Sequence, residues 1–271
     1  MKPAPFDYVR AEALDEALAV LASEGSDAQI LAGGQSLMAM LNTRLAKPKV
    51  LVDIMRLKEL DRIDATSAAV TVGAGVRQRS LLGWPPLAEK LKLVALALPW
   101  TGHAQTRSRG TICGSIAHAD PSAEMPLALL ALGGEVHLRT ASKRRRVAAE
   151  KFFTGMMSTA RAADEMIEAV SFPYLGVARC AFREVARRHG DFAIVACAAV
   201  TSRQGVRFAV GGVADMAVAR DWPRLDGTAL DDALNAFAHE LDARDDVHAT
   251  ARYRRDLVRL IGRDLVREVL R

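Results

Sequence analysis

Cysteine is scarce in this chain. Cys113, Cys180 and Cys197 are its only three, an odd number at wide spacings. That argues against a disulfide framework and against an iron–sulfur cluster, which usually takes four clustered thiolates. Aromatic residues make up 5% of the sequence, and few flank its one dense basic run, Lys143-Arg144-Arg145-Arg146. The run is therefore expected to be a solvated hairpin tip, and no nucleic-acid partner is expected. No stretch approaches the roughly 20 apolar residues that cross a bilayer. Met1 to Arg10 carries three charges, two prolines and no hydrophobic run, unlike a secretory signal. Together these absences lead to the expectation of a cytoplasmic chain without membrane insertion.

Catalytic and metal motifs are missing too. His103, His118, His137, His189, His239 and His248 show no metal-ligand spacing such as His-Glu-x-x-His. No Ser-His-Asp or Cys-His arrangement can be argued, and no P-loop ending in Gly-Lys-Ser/Thr is present. Gly73-Ala74-Gly75 follows a strand, but it lacks a third glycine and opens no helix, so it reads as a turn rather than a dinucleotide fingerprint. Cys180 and Cys197 sit in apolar segments and read as packing residues, as do Met38, Met40 and Met55. Cys113 is left as a candidate redox thiol, a role that needs exposure and a lowered pKa. No catalytic or metal-binding residue is assigned.

What remains is ordinary globular material. The chain has 271 residues, half of them hydrophobic and a quarter charged, with a formal charge of +5. That is enough for one large or two modest domains. Leu14, Ala17, Leu18 and Leu21 form a helical stripe that Gly25 ends. Ala28 to Ala32 reads as a strand. Leu37, Leu41 and Leu45 mark a second helix, with Ser36 placed to cap it and Pro48 to stop it. Val50 to Ile54 and Val70 to Ala74 read as strands, and Leu87 to Leu98 as a helix between prolines. Thr106 to Gly114 suits a loop. Glu135 to Arg139 and Arg146 to Ala148 suit a hairpin, and Glu165 to Phe172 a strand. Cys180 to Val185, Ala193 to Ser202 and Val206 to Val213 are strands or a strand–helix–strand mix. Asp231 to Leu241 and Ala249 to Leu270 are helical, the latter with Leu257, Leu260, Ile261 and Leu265 on one side. Strict βαβ alternation is absent, which points to an α+β fold with a boundary near Pro173.

Two loops carry the chemistry. Ala32-Gly33-Gly34-Gln35-Ser36 lies between a strand and a helix. Glycines let the backbone come close to a ligand or take positive φ, and a helix start offers unpaired amides and partial positive charge, which together favour phosphate. A tight turn with a capped helix explains the same residues. The second loop runs from Thr111 to Glu124. Its first half brings hydroxyls and Gly114; its second half brings Asp120 and Glu124, acceptors for sugar hydroxyls. The small residues Ser115, Ala117, Ala119 and Ala123 suggest that something packs tightly there, against the alternative of a polar surface loop.

With these loops in view, the chain resembles the flavin-binding medium subunits of the xanthine dehydrogenase and carbon monoxide dehydrogenase family of molybdenum hydroxylases. Six ordered segments carry the likeness: residues 32–54 (AGGQSLMAMLNTRLAKPKVLVDI), 109–126 (RGTICGSIAHADPSAEMP), 151–160 (KFFTGMMSTA), 186–200 (ARRHGDFAIVACAAV), 211–214 (GGVA) and 251–257 (ARYRRDL). The resemblance implies a two-subdomain FAD-binding region of the vanillyl-alcohol oxidase-like (PCMH) type over residues 1–173, with subdomains of about 1–55 and 56–173. An α+β C-terminal domain would follow over residues 174–271. It implies noncovalent FAD, with the pyrophosphate on the amides of Ala32, Gly33, Gly34, Gln35 and Ser36, beside Leu37. Thr111, Gly114, Ser115 and His118 would line the other side. Asp120 and Glu124 would lie near the ribose, Arg183 would be a basic group close to the flavin, and Asp191 and Phe192 would approach the ring.

The same likeness implies a function. Electrons would pass from iron–sulfur clusters of a small partner subunit through FAD to an external acceptor. The molybdenum cofactor would sit in a large partner subunit, and the whole would be a heterohexamer, a dimer of heterotrimers. The alternatives are a self-sufficient flavin oxidoreductase of the same fold, or a scaffold that has lost FAD. Tyr253, Arg254, Arg255 and the C-terminal helix are candidates for a partner face, against plain packing on their own domain. The sequence departs from the family at Cys113, where the first of two glycines is usual. A positive φ there would cost about 1 kcal/mol or more. It also departs at Phe192, which replaces a tyrosine, and at Thr101 to Ala104. Carbon monoxide, purines, aldehydes and N-heterocycles all remain open as substrates.

Overall fold

The computed structural model describes residues 2–271 and is mixed α and β throughout. The first fifty residues build a small parallel sheet. Strands β1 (Asp7–Arg10) and β2 (Ala28–Leu31) flank β3 (Val50–Asp53), both parallel to it. Helix α1 (Leu14–Glu24) buries Leu14, Ala17, Leu18 and Leu21 and ends at Gly25, whose φ is +54°. Its first turn is tied down by Glu12 N donating to Glu16 Oε2 at 2.8 Å. Helix α2 (Leu37–Asn42) is shorter than the leucine spacing suggests. Arg44 turns left-handed at φ +59°, and Leu45 ends 71% exposed. Leu41 alone of the three leucines is buried. Ser36 makes no capping bond from its side chain.

A five-stranded antiparallel sheet follows, in the order β4 (Ile63–Ala65), β5 (Ala69–Gly73), β10 (Met166–Pro173), β6 (Glu135–Arg139), β7 (Arg144–Ala148). Lys143 of the basic run lies in the hairpin turn, and Arg144 to Arg146 lie in β7. There Arg145 grips Glu165 through two bonds of 2.6 and 2.7 Å, and Arg144 pairs with Glu168 at 3.3 Å. Between β5 and β6 the chain is helical: α3 (Gln78–Leu82), α4 (Leu87–Lys90), α5 (Lys92–Ala97), α6 (Ala104–Arg109), α7 (Ile112–His118) and α8 (Glu124–Ala131). The helix expected over Leu87 to Leu98 breaks at Leu91, and the loop expected over Thr106 to Gly114 is largely α6 and α7. A short helix α9 (Ala149–Phe152) leads into a small hairpin, β8 (Phe153–Gly155) and β9 (Ser158–Thr159).

The C-terminal third is a four-stranded antiparallel sheet in chain order, β11 (Cys180–Val185), β12 (Val195–Thr201), β13 (Gly205–Gly211) and β14 (Val218–Pro223). All three apolar segments that periodicity left ambiguous are strands. β12 and β13 are buried on both faces, so the alternation that marks a half-exposed strand is absent there, while β11 is only partly buried, with Arg183 exposed. Helices α10 (Gly227–Glu240) and α11 (Ala251–Leu270) cover one face, packing on Val195, Cys197 and Ala199. The opposite residues, Ala196, Ala198 and Val200, join the core of the N-terminal region, as period-two alternation requires. Helix α8 fills the junction. All eight of its residues are buried, as expected for a helix apolar all round. On α11, Leu257, Ile261 and Leu265 are buried but Leu260 is 59% exposed. Arg254 is buried and donates to the carbonyls of Ile194 and Gly212, both at 2.6 Å, and Arg255 donates to Ala238 O at 3.2 Å. These two arginines serve their own domain, which leaves only Tyr253 of that trio exposed.

Candidate functional site

The glycine turn leaves β2 and enters α2. Gly34 has φ +72°, which disfavours any residue with a Cβ. Gly33 is needed for a different reason: a Cβ there would lie 2.2 Å from the carbonyl oxygen of Arg109. The first loop is thus pressed against the start of the second. Among the described residues, the amides of Gly33, Gly34, Gln35 and Ser36 donate to no protein acceptor; the first bond of the turn runs from Met38 N to Gly34 O at 3.0 Å. Four successive donors without partners are costly unless water or a ligand accepts from them.

Gly33, Gly34 and Gln35 border a cavity of about 330 Å³, lined also by Leu31, Ala32, Met38, Asp53, Met55, Arg77 and Arg109. Met38 and Met55 are therefore cavity walls rather than core filling, and Met38 is 42% exposed. Asp53 is held by Tyr8 Oη, which donates to it at 2.5 Å, and by Met55 N at 2.8 Å. The bond to Asp53 raises the Tyr8 pKa and keeps its phenol protonated. Arg77, Arg109 and Asp53 carry no motif, and only the folding of β3, α3 and α6 around one turn brings them together.

The second loop is fastened to this turn and then carries the chain away from it. Gln78 N donates to Gly110 O at 2.8 Å, and Arg77 forms a β-bridge with Thr111. Thr111 caps α7, its hydroxyl accepting from Gly114 N at 3.0 Å. A Cβ on Gly114 would meet that same hydroxyl at 2.7 Å, so Gly114 and Thr111 are a matched pair. Cys113 has helical geometry, and the strain considered for a positive φ does not arise. Its thiol is buried against the Val72 carbonyl at 3.5 Å, and burial pushes its pKa up to about 12. Both facts rule against a reactive thiol. Ser115 and His118 are half-buried on α7, which spans about 10 Å.

At the far end of α7 lies a carboxyl cluster. Asp120 Oδ1 accepts from Ser122 N at 2.8 Å, while Gly212 N donates to Pro121 O at 2.7 Å and ties this corner to the end of β13. Glu124, 5% exposed, opens α8 and accepts from the Thr101 hydroxyl at 2.8 Å; burial pushes its pKa up to about 7. Glu184 on β11, unremarked in the sequence, is 8% exposed with neither carboxyl oxygen hydrogen-bonded. Burial and the nearby Glu124 charge push its pKa up to about 8. The turn after β11 closes over this region. A Cβ on Gly190 would meet the His103 ring at 2.7 Å, and Trp100 packs edge-on against His189 at 4.8 Å. Asp191 is engaged by Arg188 at 3.3 Å and by Arg187 at 3.5 Å, and Phe192 stands 72% exposed.

One expected residue lies elsewhere. Arg183 pairs with Asp264 at 3.1 Å and with Glu268 at 3.3 Å, both on α11. Strand alternation turns it away from the carboxyl cluster and turns Glu184 toward it. Its two acidic partners hold the Arg183 side chain on the α11 side of the strand. Among the described residues no cluster of His, Cys, Asp or Glu could hold a metal ion, and no helix is long and apolar enough to cross a membrane.

Comparison with known proteins gives the same picture at the level of families. A family model for the FAD binding domain in molybdopterin dehydrogenase matches residues 4–175. A second, for the CO dehydrogenase flavoprotein C-terminal domain, matches residues 180–269. The 6-hydroxypseudooxynicotine dehydrogenase complex subunit alpha of Paenarthrobacter nicotinovorans is 35% identical, over 100% of this chain and 97% of its own length. The carbon monoxide dehydrogenase medium chain of Hydrogenophaga pseudoflava is 34% identical, over 83% of this chain and 80% of its own. Among solved structures, quinoline 2-oxidoreductase from Pseudomonas putida 86 superimposes with a TM-score of 0.92 at 32% identity, covering 99% of this chain and 98% of that one.

Proposed function

Because the chain belongs to the family of FAD-binding medium subunits of molybdenum hydroxylases, we propose that it is the electron-transfer subunit of such a complex. In this reading electrons pass from iron–sulfur clusters of a small partner subunit through noncovalent FAD to an external acceptor. A large partner subunit holds the molybdenum cofactor and the organic substrate, and the assembly is a dimer of heterotrimers in the cytoplasm. FAD, when bound, supplies the redox chemistry, and this chain's residues hold and orient it.

The observation that carries the proposal is the row of four partnerless amides, Gly33 to Ser36, the first three of them on residues that line the 330 Å³ cavity. Their donors suit the pyrophosphate, with Ala32 and Leu37 flanking them. Thr111, Gly114, Ser115 and His118 are read as the opposite wall along α7. Asp120 and Glu124 are read as ribose acceptors, Asp120 having one carboxyl oxygen committed to Ser122. Phe192, an exposed ring beside Asp191, suits an apolar cover for the flavin. The division into residues 1–173 and 174–271 is supported by the gap between the two matched segments, 4–175 and 180–269.

Rapid mixing tests the role. The isolated chain should show no flavin bleaching with candidate organic substrates, and adding the two partner subunits should restore it. Stoichiometric bleaching by an organic substrate in the isolated chain would instead establish a self-sufficient flavoenzyme.

A further inference from the structure

We infer that Arg77 and Arg109 form a cationic wall of the glycine-turn cavity, and that this wall makes a diphosphate the part of the cofactor that anchors it. The inference rests on the FAD reading and names side chains where that reading needs only backbone. Both arginines line the cavity with Gly33 and Gly34. They come from different segments, and backbone contacts fix them there: Arg77 is bridged to Thr111, Gln78 N bonds Gly110 O, and the Arg109 carbonyl abuts Gly33.

Neither has an acidic partner among the described residues. Arg77 reaches only the Ser108 carbonyl, at 3.4 Å, and the Arg109 side chain donates to no protein acceptor. Many arginines elsewhere are held by acids, as Arg145 is by Glu165 and Arg139 by Glu168, and Arg107 is held by three carbonyls. The one carboxylate in the cavity, Asp53, has its two oxygens occupied by Tyr8 and Met55. The cavity thus offers two guanidiniums without an acidic partner and the uncommitted amides of Gly33, Gly34 and Gln35. That set matches two adjacent phosphate charges, because guanidinium binds phosphate oxygens through paired, charge-assisted bonds.

The test uses the full chain freed of flavin, with Arg77→Gln and Arg109→Gln, and Arg79→Gln as a control on the same helix segment. Flavin fluorescence titrations at low and high salt report affinity for FAD and for riboflavin, which has no phosphate. Isothermal titration with ADP reports the diphosphate alone. Each cavity variant should raise the Kd for FAD and ADP about ten- to a hundredfold and flatten their salt dependence. Riboflavin binding and the circular dichroism spectrum should not change, and Arg79→Gln should behave as wild type. Unchanged FAD affinity and salt slope in both variants overturns the inference while leaving the FAD site standing. Equal weakening of riboflavin also overturns it, since the arginines would then act on the fold. A wild-type chain that binds neither FAD nor ADP overturns the FAD reading and the inference together.

Discussion

Glu184→Gln is expected to make the chain more stable at alkaline pH and to leave it nearly unchanged in mild acid. The wild-type carboxyl is 8% exposed with both oxygens unbonded, and it lies near Glu124, itself 5% exposed. Burial and the Glu124 charge move its pKa from 4.5 to about 8. An acid whose folded pKa lies above its unfolded value holds its proton more tightly in the native state. Its contribution is therefore complete below pH 4.5 and is lost as pH climbs toward about 8, at about 1.4 kcal/mol per pH unit. Over that window of about 3.5 pH units the loss attributable to Glu184 is bounded by about 5 kcal/mol, and solvent screening lowers it to a few kcal/mol, against a typical total stability of about 5–15 kcal/mol.

Glutamine keeps the size and cannot ionise. Wild type and variant should thus differ by less than about 1 kcal/mol at pH 5, where the acid is neutral too. By pH 9 the variant should lead by a few kcal/mol. Removing the charge also relieves Glu124, whose own window runs from 4.5 to about 7. Urea unfolding of the flavin-free chain at several pH values measures the difference directly, provided the denaturant slope is shared. A wild-type minus variant difference that stays constant from pH 5 to pH 9 would refute the argument that Glu184 is buried as a neutral acid.

Four further outcomes are expected. Acid precipitation should release the yellow colour into the supernatant as FAD, and colour retained in the pellet or a supernatant of FMN contradicts noncovalent FAD. Gly34→Val should abolish FAD binding with the fold intact, at a backbone cost of about 1–2 kcal/mol for leaving glycine at φ +72°; Gly33→Ala should instead lower thermal stability, because its Cβ meets the Arg109 carbonyl, and a Gly33→Ala protein of wild-type Tm would deny the contact between the two loops. Cys113 and Cys197, both buried with raised thiol pKa values, should react with a thiol reagent only on unfolding, and fast labelling of Cys113 in the native chain would revive it as a redox group.

Local patterning carried much of this protein. The stripe Leu14, Ala17, Leu18, Leu21 and the stop at Gly25 were readable because a surface helix shows its buried face at a 3.6-residue period. The glycine turn was readable because few residues besides glycine allow such backbone. The six ordered segments were readable as a family because they recur in order along the whole chain, and two family models cover the same span. Other features depended on contacts between distant segments. The strands from Val195 to Gly211 were ambiguous because both their faces are buried, one by α8 and its neighbours and the other by α10 and α11. Helix α2 stops at Asn42 although the leucine spacing continues. At Gly33 the sequence left close approach to a ligand and positive φ both open, yet its constraint is the Arg109 carbonyl, 76 positions on. Arg183 and Glu184 show the limit most plainly. The family resemblance drew attention to the arginine, but strand alternation and two acids on α11 hold its side chain on the α11 side, leaving its buried neighbour near Glu124. Which of two adjacent residues faces a site is decided by what each face of the strand packs against, and that information lies in other parts of the chain.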